Sequence, residues 1–209
     1  MTSKVEICNK ALSLLSANLI MAFDPDESVE AALCVTNYES ARRYALEKRG
    51  WTFATKRIVM TSPSATAPEW GYDFKHLLPS DLLRVLIVSE DPAYKDGGSL
   101  MDWRKESDDG GDYIVCNFST IYVKYIYDQI QEVRFSPTFV EAMVHQLAYL
   151  MATPLTESKG LKNDLLAEFE RLTSEASGTD GTQGTSDRIR SNRLLNVRRV
   201  RGRNFGRRP

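Results

Sequence analysis

The chain has 209 residues, of which 42% are hydrophobic and 10% aromatic, a composition that supports a sizeable core and excludes an intrinsically disordered protein. The longest apolar stretch, 11–23, is too short and too often interrupted by polar residues to span a membrane. Its three cysteines lack CxxC spacing, which argues against a disulfide framework or a zinc site, and we expect them to be buried.

The nearly neutral total charge hides a strong asymmetry along the chain. Nine of the 27 basic residues are arginines in the last 22 positions, which contain no acidic residue. Residues 1–187 therefore hold 18 basic against 28 acidic residues, a net charge of −10. The sequence predicts an acidic body over 1–177, a flexible Gly- and Thr-rich linker over 178–186 and a basic docking arm over 187–209.

The first two predicted elements are helices. Apolar residues recur at helical spacing over 3–17, which predicts the first helix. The second is predicted over 25–49, where Asp24 as N-cap and Glu27 three residues later form a capping box. Gly50 is expected to end this helix in a left-handed conformation.

Strands are predicted over 51–132, where apolar and polar residues alternate. The run of β-branched and aromatic residues at 121–127 is the clearest strand. The acidic segment 106–112, ESDDGGD, has a register that does not fit a calcium-binding loop, so we expect a solvated hairpin loop there.

Two further helices are predicted over 137–151 and 157–176. Ser136 and Pro137 mark the start of the third helix, and Pro154 is expected to end it. The predicted fold class is α+β: a four-helix bundle with an antiparallel β-sheet insertion between helices 2 and 3, plus an extended C-terminal arm.

The sequence offers little for catalysis. His76 and His145 do not stand in a spacing that chelates a metal or builds a nucleophile–base pair, and we expect both to be structural. No phosphate-binding, dinucleotide-binding or hydrolase motif is present, so we expect no catalytic residue, no cofactor and no metal. A pair of carboxylates for glycoside hydrolysis remains an open alternative, because sequence does not give their separation.

The arginine-rich arm allows three interpretations. It could bind nucleic-acid phosphates without sequence preference, dock on an acidic protein surface, or act as a solubilising tail. Apolar residues interleaved with the arginines favour protein docking. The predicted partner-binding residues are Arg188, Arg190, Arg193, Leu194, Leu195, Val197, Arg198, Arg199, Val200, Arg201, Arg203, Phe205, Arg207 and Arg208.

Four segments together resemble a known family. They are CNKALSLLSA at 8–17, DPDESVEAA at 24–32, YESARRYALEKRGWTFATKR at 38–57 and WGYDFKHLLPSDLLRV at 70–85. In this order they are similar to the head-to-tail adaptors of tailed bacteriophages, of the tail tubular protein A type found in short-tailed phages. Members of that family often have glycine after the paired leucines of the first helix, where this chain has Ser16.

The resemblance implies a structural protein of the virion, assembled in the host cytoplasm, rather than an enzyme. It implies a ring of twelve copies beneath the portal protein that extends the DNA channel and carries the tail nozzle and, in some phages, fibres. Double-stranded DNA would pass through the lumen without specific binding, and no membrane would be involved. The alternatives are a virion-associated peptidoglycan hydrolase and a nucleic-acid-binding protein that acts through the arm.

Overall fold

The computed structural model describes residues 3–61, 63–64, 66–93 and 101–181. Helices lie at both ends of this part of the chain and strands lie between them. The helices are α1 (Lys4–Leu14), α2 (Val29–Lys48), α3 (Pro137–Thr156) and α4 (Lys159–Gly181). The strands are β1 (Thr55–Met60), β2 (Phe74–Leu77), β3 (Leu82–Ser89), β4 (Trp103–Asp108), β5 (Gly111–Cys116) and β6 (Ile121–Tyr127).

The strands form two separate antiparallel sheets of three strands each. Sheet 1 has the order β1-β6-β3, and sheet 2 has the order β2-β5-β4. Strand β6 is central in sheet 1, and its side chains point alternately to the two faces of the sheet. Ile126 joins the helical core, whereas Ile121, Val123 and Tyr125 belong to a second core that also contains Ile114 and Cys116 of sheet 2.

The predicted architecture, a four-helix bundle with one β-sheet insertion between helices 2 and 3, is wrong. The fold is α+β, but its strands dominate the middle of the chain as two sheets. The helices pack mainly on α3, which contacts each of the other three, rather than around a common four-helix core. Sheet 1 contributes Ile126 to the helical core, so this sheet is an integral layer of the fold.

The predicted capping box at the start of α2 is also wrong. The helix begins at Val29, and Ser28 caps it by accepting a hydrogen bond from the Ala31 N–H over 3.1 Å. Glu27 instead accepts hydrogen bonds from the backbone of the preceding loop. The Glu27 carboxylate therefore stabilises the loop before α2 and does not cap the helix.

The end of α2 differs from the prediction as well. Arg49 is extended, and Gly50 is not among the described residues with a left-handed backbone. Trp51 then starts a short 3₁₀ helix over 52–54, and its indole N–H donates to the Ala45 carbonyl over 2.8 Å. This turn delays the first strand from the predicted residue 51 to Thr55.

Helix α3 begins as predicted but continues past Pro154. Ser136 accepts a hydrogen bond from the Phe139 N–H, and Pro137 occupies the first turn. Pro154 lies in the last turn of the helix, which ends at Thr156 and is followed by Glu157 as C-cap, with a left-handed φ of 53°. Helix α4 extends to Gly181 and so includes the first four residues of the segment predicted as a linker, 178–186.

The prediction of β6 is confirmed, since the strand covers 121–127. The acidic segment 106–112 lies at a hairpin, as expected, but the loop is shorter than predicted. Asp108 of β4 pairs with Gly111 of β5, so only residues 109 and 110 form the loop. Strand β4 itself was not predicted, because its charged sequence, WRKESD, lacks the apolar alternation of a half-buried strand.

The end of α1 is closed by backbone hydrogen bonds around Ser16. The Ala17 N–H donates to the Leu12 carbonyl and the Ser16 N–H to the Ser13 carbonyl, which is the Schellman arrangement. Ser16 has a φ of 54°, in the left-handed region that favours glycine. This chain therefore places serine at a position where the backbone conformation favours glycine.

Candidate docking surfaces

The arm residues predicted to bind a partner lie outside the described residues. All fourteen of them, from Arg188 to Arg208, follow the last described position, Gly181. The structure therefore gives the geometry of the acidic body and not that of the arm.

Each of the two histidines hydrogen-bonds to a backbone carbonyl. His76 is fully buried, with Nε2 2.9 Å from the Phe118 carbonyl oxygen. The Nδ1 atom of His145 lies 2.9 Å from the Glu141 carbonyl oxygen, one turn earlier in α3. Within the described ranges, no group of three His, Cys, Asp or Glu side chains is placed to hold a metal ion.

The three cysteines are buried, as predicted, and are free thiols. Cys34 lies 3.7 Å from the Met151 sulfur. A hydrogen bond with Cys34, together with burial, raises the pKa of the Cys8 thiol above its usual range. These thiols therefore pack as small apolar groups in the core.

One candidate surface is the loop between α1 and α2, residues 15–28, with the first residue of α2. It exposes three large apolar side chains: Leu19 is 61% exposed, Met21 90% and Val29 71%. Single exposed apolar residues are normal, but several close together in sequence mark surfaces that contact a partner. We name these three residues the apolar loop surface.

Side-chain hydrogen bonds hold this loop in place. The Asn9 amide bonds to both backbone groups of Ile20, over 3.0 Å and 2.9 Å, and Ile20 is buried. The Glu27 carboxylate accepts from the Met21 N–H over 2.7 Å and from the Ala22 N–H over 2.8 Å. Because the backbone is fixed, docking on Leu19 and Met21 would cost little ordering entropy.

A second candidate surface lies beside Trp70, on one face of sheet 2. The register places Lys75, Tyr113, Arg104, Glu106 and Asp108 on this face. With Glu69, Trp70, Tyr72 and Asp102 they line a pocket of about 540 Å³. We name it the Trp70 pocket.

Electrostatic contacts fix one side of the Trp70 pocket. The Lys75 ammonium lies 3.8 Å from the centre of the Tyr113 ring and forms an ion pair with Asp108. The hydrogen bond from Lys75 holds the pKa of the Asp108 carboxyl below its usual range. Lys75 and Asp108 are therefore engaged with each other, while Trp70 is 86% exposed.

A third surface is a groove of about 250 Å³ on sheet 1. Its lining includes Arg57 and Lys124, which lie directly opposite each other on β1 and β6. Like charges in this position are unfavourable for strand pairing, and they give the groove a basic character.

Sequence reasoning missed the apolar loop surface and the Trp70 pocket. The acidic residues from Asp24 to Glu27 fit the pattern of a helix cap, and no pattern in the sequence shows that Leu19 and Met21 are exposed. For the pocket, the aromatic residues Trp70 and Tyr72 around Gly71 were the available signal. Gly71 has a φ of 88°, which favours glycine and allows the loop to present Trp70 to solvent.

Comparisons with known proteins place the chain in no family. No protein-family model matches it, and no curated protein matches it. Among the described helices, none has the length and apolarity needed to cross a membrane.

Proposed function

We propose that the protein is a structural head-to-tail adaptor of a tailed bacteriophage. In this role it forms a ring beneath the portal, extends the DNA channel and carries the tail nozzle and, in some phages, fibres. The sequence resemblance over 8–85 suggests the role. The arm at 187–209 provides arginines for acidic groups of the portal.

The observation that supports the proposal best is that the apolar loop surface is exposed on a loop held in place by hydrogen bonds. A ring subunit must bury part of its surface against its neighbours, and the interface core of such contacts is rich in apolar side chains. Leu19, Met21 and Val29 supply such side chains on a loop that Asn9 and Glu27 hold in one conformation. We propose that this surface forms a lateral contact in the ring.

The net charge of the body bears on how the ring forms. The bodies, residues 1–187, each carry a net charge of −10 and repel one another, while the arms bring the net charge of each whole chain to −1. We therefore expect the isolated chain to be largely monomeric and to form rings on the portal, where contacts from many arms add up.

The experiment combines the full chain with the portal protein of the same virus. Negative-stain imaging and native mass spectrometry should find rings on the portal and monomers without it. Met21→Glu should reduce ring formation at least tenfold, whereas Met21→Leu should preserve it.

Failure of the wild-type chain to associate with the portal would contradict the proposed function. Equal ring formation by Met21→Glu and Met21→Leu would contradict the assignment of the lateral contact. Clearing of a peptidoglycan suspension by the purified chain would instead favour the hydrolase alternative.

A further inference from the structure

The Trp70 pocket combines an exposed aromatic ring with unpaired acidic groups. Four carboxylates line it, those of Glu69, Asp102, Glu106 and Asp108, against the two basic groups of Lys75 and Arg104. Asp108 pairs with Lys75. In the part of the chain that the structure describes, the other three carboxylates form no ion pair, so the pocket has an excess of negative charge.

The chemistry of this pocket suits a guanidinium group. The flat face of an exposed indole stacks well on the planar guanidinium of arginine. Neighbouring carboxylates accept its paired N–H groups in a bidentate geometry. An anion would be repelled by Glu69, Asp102 and Glu106.

We propose that the Trp70 pocket binds arginine side chains of the chain's own C-terminal arm, residues 188–209. Residues 188–209 of the arm contain nine arginines and no acidic residue, so their charge complements that of the pocket. This inference goes beyond the proposed function, because it concerns the chain before it meets any partner. A portal would compete for the same arginines.

The length of the arm allows this contact within one chain. The described structure ends at Gly181, and 28 residues follow. Extended at about 3.3 Å per residue, they span roughly 90 Å. A domain of this size has a radius of gyration of about 16 Å, so the arm can reach any point on its own body.

Tethering strengthens a contact that would be weak between separate molecules. The pocket is open to solvent, so a single arginine gains little there at physiological ionic strength. A short tether holds the arm near the pocket at a millimolar effective concentration. Any of the nine arginines of the arm can occupy the Trp70 pocket, which increases the fraction of time that the pocket is filled.

The test measures how fast trypsin cleaves the arm in the full-length protein. Two pocket variants are used: Trp70→Ala, and the triple variant Glu69→Gln, Asp102→Asn, Glu106→Gln. The control triple variant is Glu39→Gln, Asp164→Asn, Glu170→Gln, which removes three exposed carboxylates of the helices and changes the net charge equally. Intact-mass spectrometry follows the loss of C-terminal fragments at low ionic strength.

Trypsin cleaves the arm only while it is free, so the cleavage rate falls as the fraction of time that the arm is bound rises. We expect both pocket variants to lose arm fragments about tenfold faster than the wild type, and the control to stay within twofold of it. Equal rates in all four proteins would overturn the proposal. A cleavage rate that changes with protein concentration, between about 1 and about 100 μM, would also overturn it. Such a dependence would indicate that the pocket binds the arm of a second copy.

A second measurement does not depend on any variant. In the wild-type chain, the indole N–H resonance of Trp70 should shift when trypsin removes the arm, while that of the buried Trp51 should not. An unchanged Trp70 resonance would overturn the proposal even if a pocket variant failed to fold.

Discussion

Arg42 on α2 and Asp128 just after β6 form a largely buried ion pair. The Arg42 Nη2 atom lies 2.9 Å from one carboxylate oxygen of Asp128 and 3.2 Å from the other. The Arg42 side chain is 5% exposed and that of Asp128 22%. The pair connects the helical layer to the end of the central strand of sheet 1.

Replacement of Asp128 should destabilise the protein strongly. Asp128→Asn would leave the buried guanidinium of Arg42 without its countercharge, and we expect a loss of about 2–4 kcal/mol in the free energy of unfolding. Urea denaturation followed by circular dichroism measures this loss. The exposed carboxylate of Asp164 provides a control, since Asp164→Asn should change the value by less than about 0.5 kcal/mol. A loss below about 1 kcal/mol at Asp128 would show that the pair matters little.

Ser16→Gly should stabilise the protein. Glycine adopts the left-handed backbone of this position without the steric cost of a Cβ, and we expect a gain of about 0.5–1 kcal/mol, partly offset by the entropy of the unfolded chain. Thermal unfolding measures the gain. Ser13→Gly, three residues earlier and within α1, should instead lower the free energy of unfolding, because glycine destabilises a helix interior. A destabilised Ser16→Gly protein would contradict this account of the helix end.

Alkaline pH should destabilise the fold through buried tyrosines. Burial and the nearby Asp81 carboxylate raise the pKa of Tyr125 to about 12, against about 10 in an unfolded chain. The folded state therefore binds this proton more tightly. The stabilisation that the protonated Tyr125 contributes is fully present below about pH 10 and is lost as the pH rises towards about 12.

Tyr125→Phe tests this dependence. The free energy of unfolding of the variant should fall less steeply between about pH 10 and 12 than that of the wild type. Some slope should persist, because burial also raises the pKa of Tyr38. Identical slopes in the two proteins would mean that Tyr125 does not contribute.

The cysteines should resist modification in the folded protein. Cys8, Cys34 and Cys116 are buried, and burial raises the pKa of the Cys116 thiol. We expect a thiol reagent at pH 8 to modify them at least about a hundredfold more slowly than in urea, where all three become accessible. Rapid reaction of one thiol in native protein would reveal local opening near that residue.

Elements with a strong local signal were predictable from the sequence. Strand β6 consists almost entirely of residues that favour strands, and α3 begins with Ser136 and Pro137 at the positions that suit a helix start. In both cases the local preference agrees with the tertiary environment. Strand β6 therefore has its predicted ends and α3 its predicted start, whereas α3 continues past its predicted end at residue 151 to Thr156.

Other features depend on contacts between distant residues. Sheet 1 pairs β6 with both β1 and β3, and no local pattern states which strands pair. Glu27 caps no helix because it holds Met21 and Ala22 instead. The Trp70 pocket likewise requires the β4–β5 hairpin to face the loop at 68–72, which composition alone does not reveal.

The alternation of the β6 side chains between the two faces of sheet 1 determines which insertions the chain can tolerate. One additional residue within β6 would exchange the faces of the positions that follow it. Lys124 would then point towards the core between the sheets, and the next apolar residue would lose its place there. Natural variants of this protein should therefore differ in length in the loops on either side of β6, while the strand itself keeps its length.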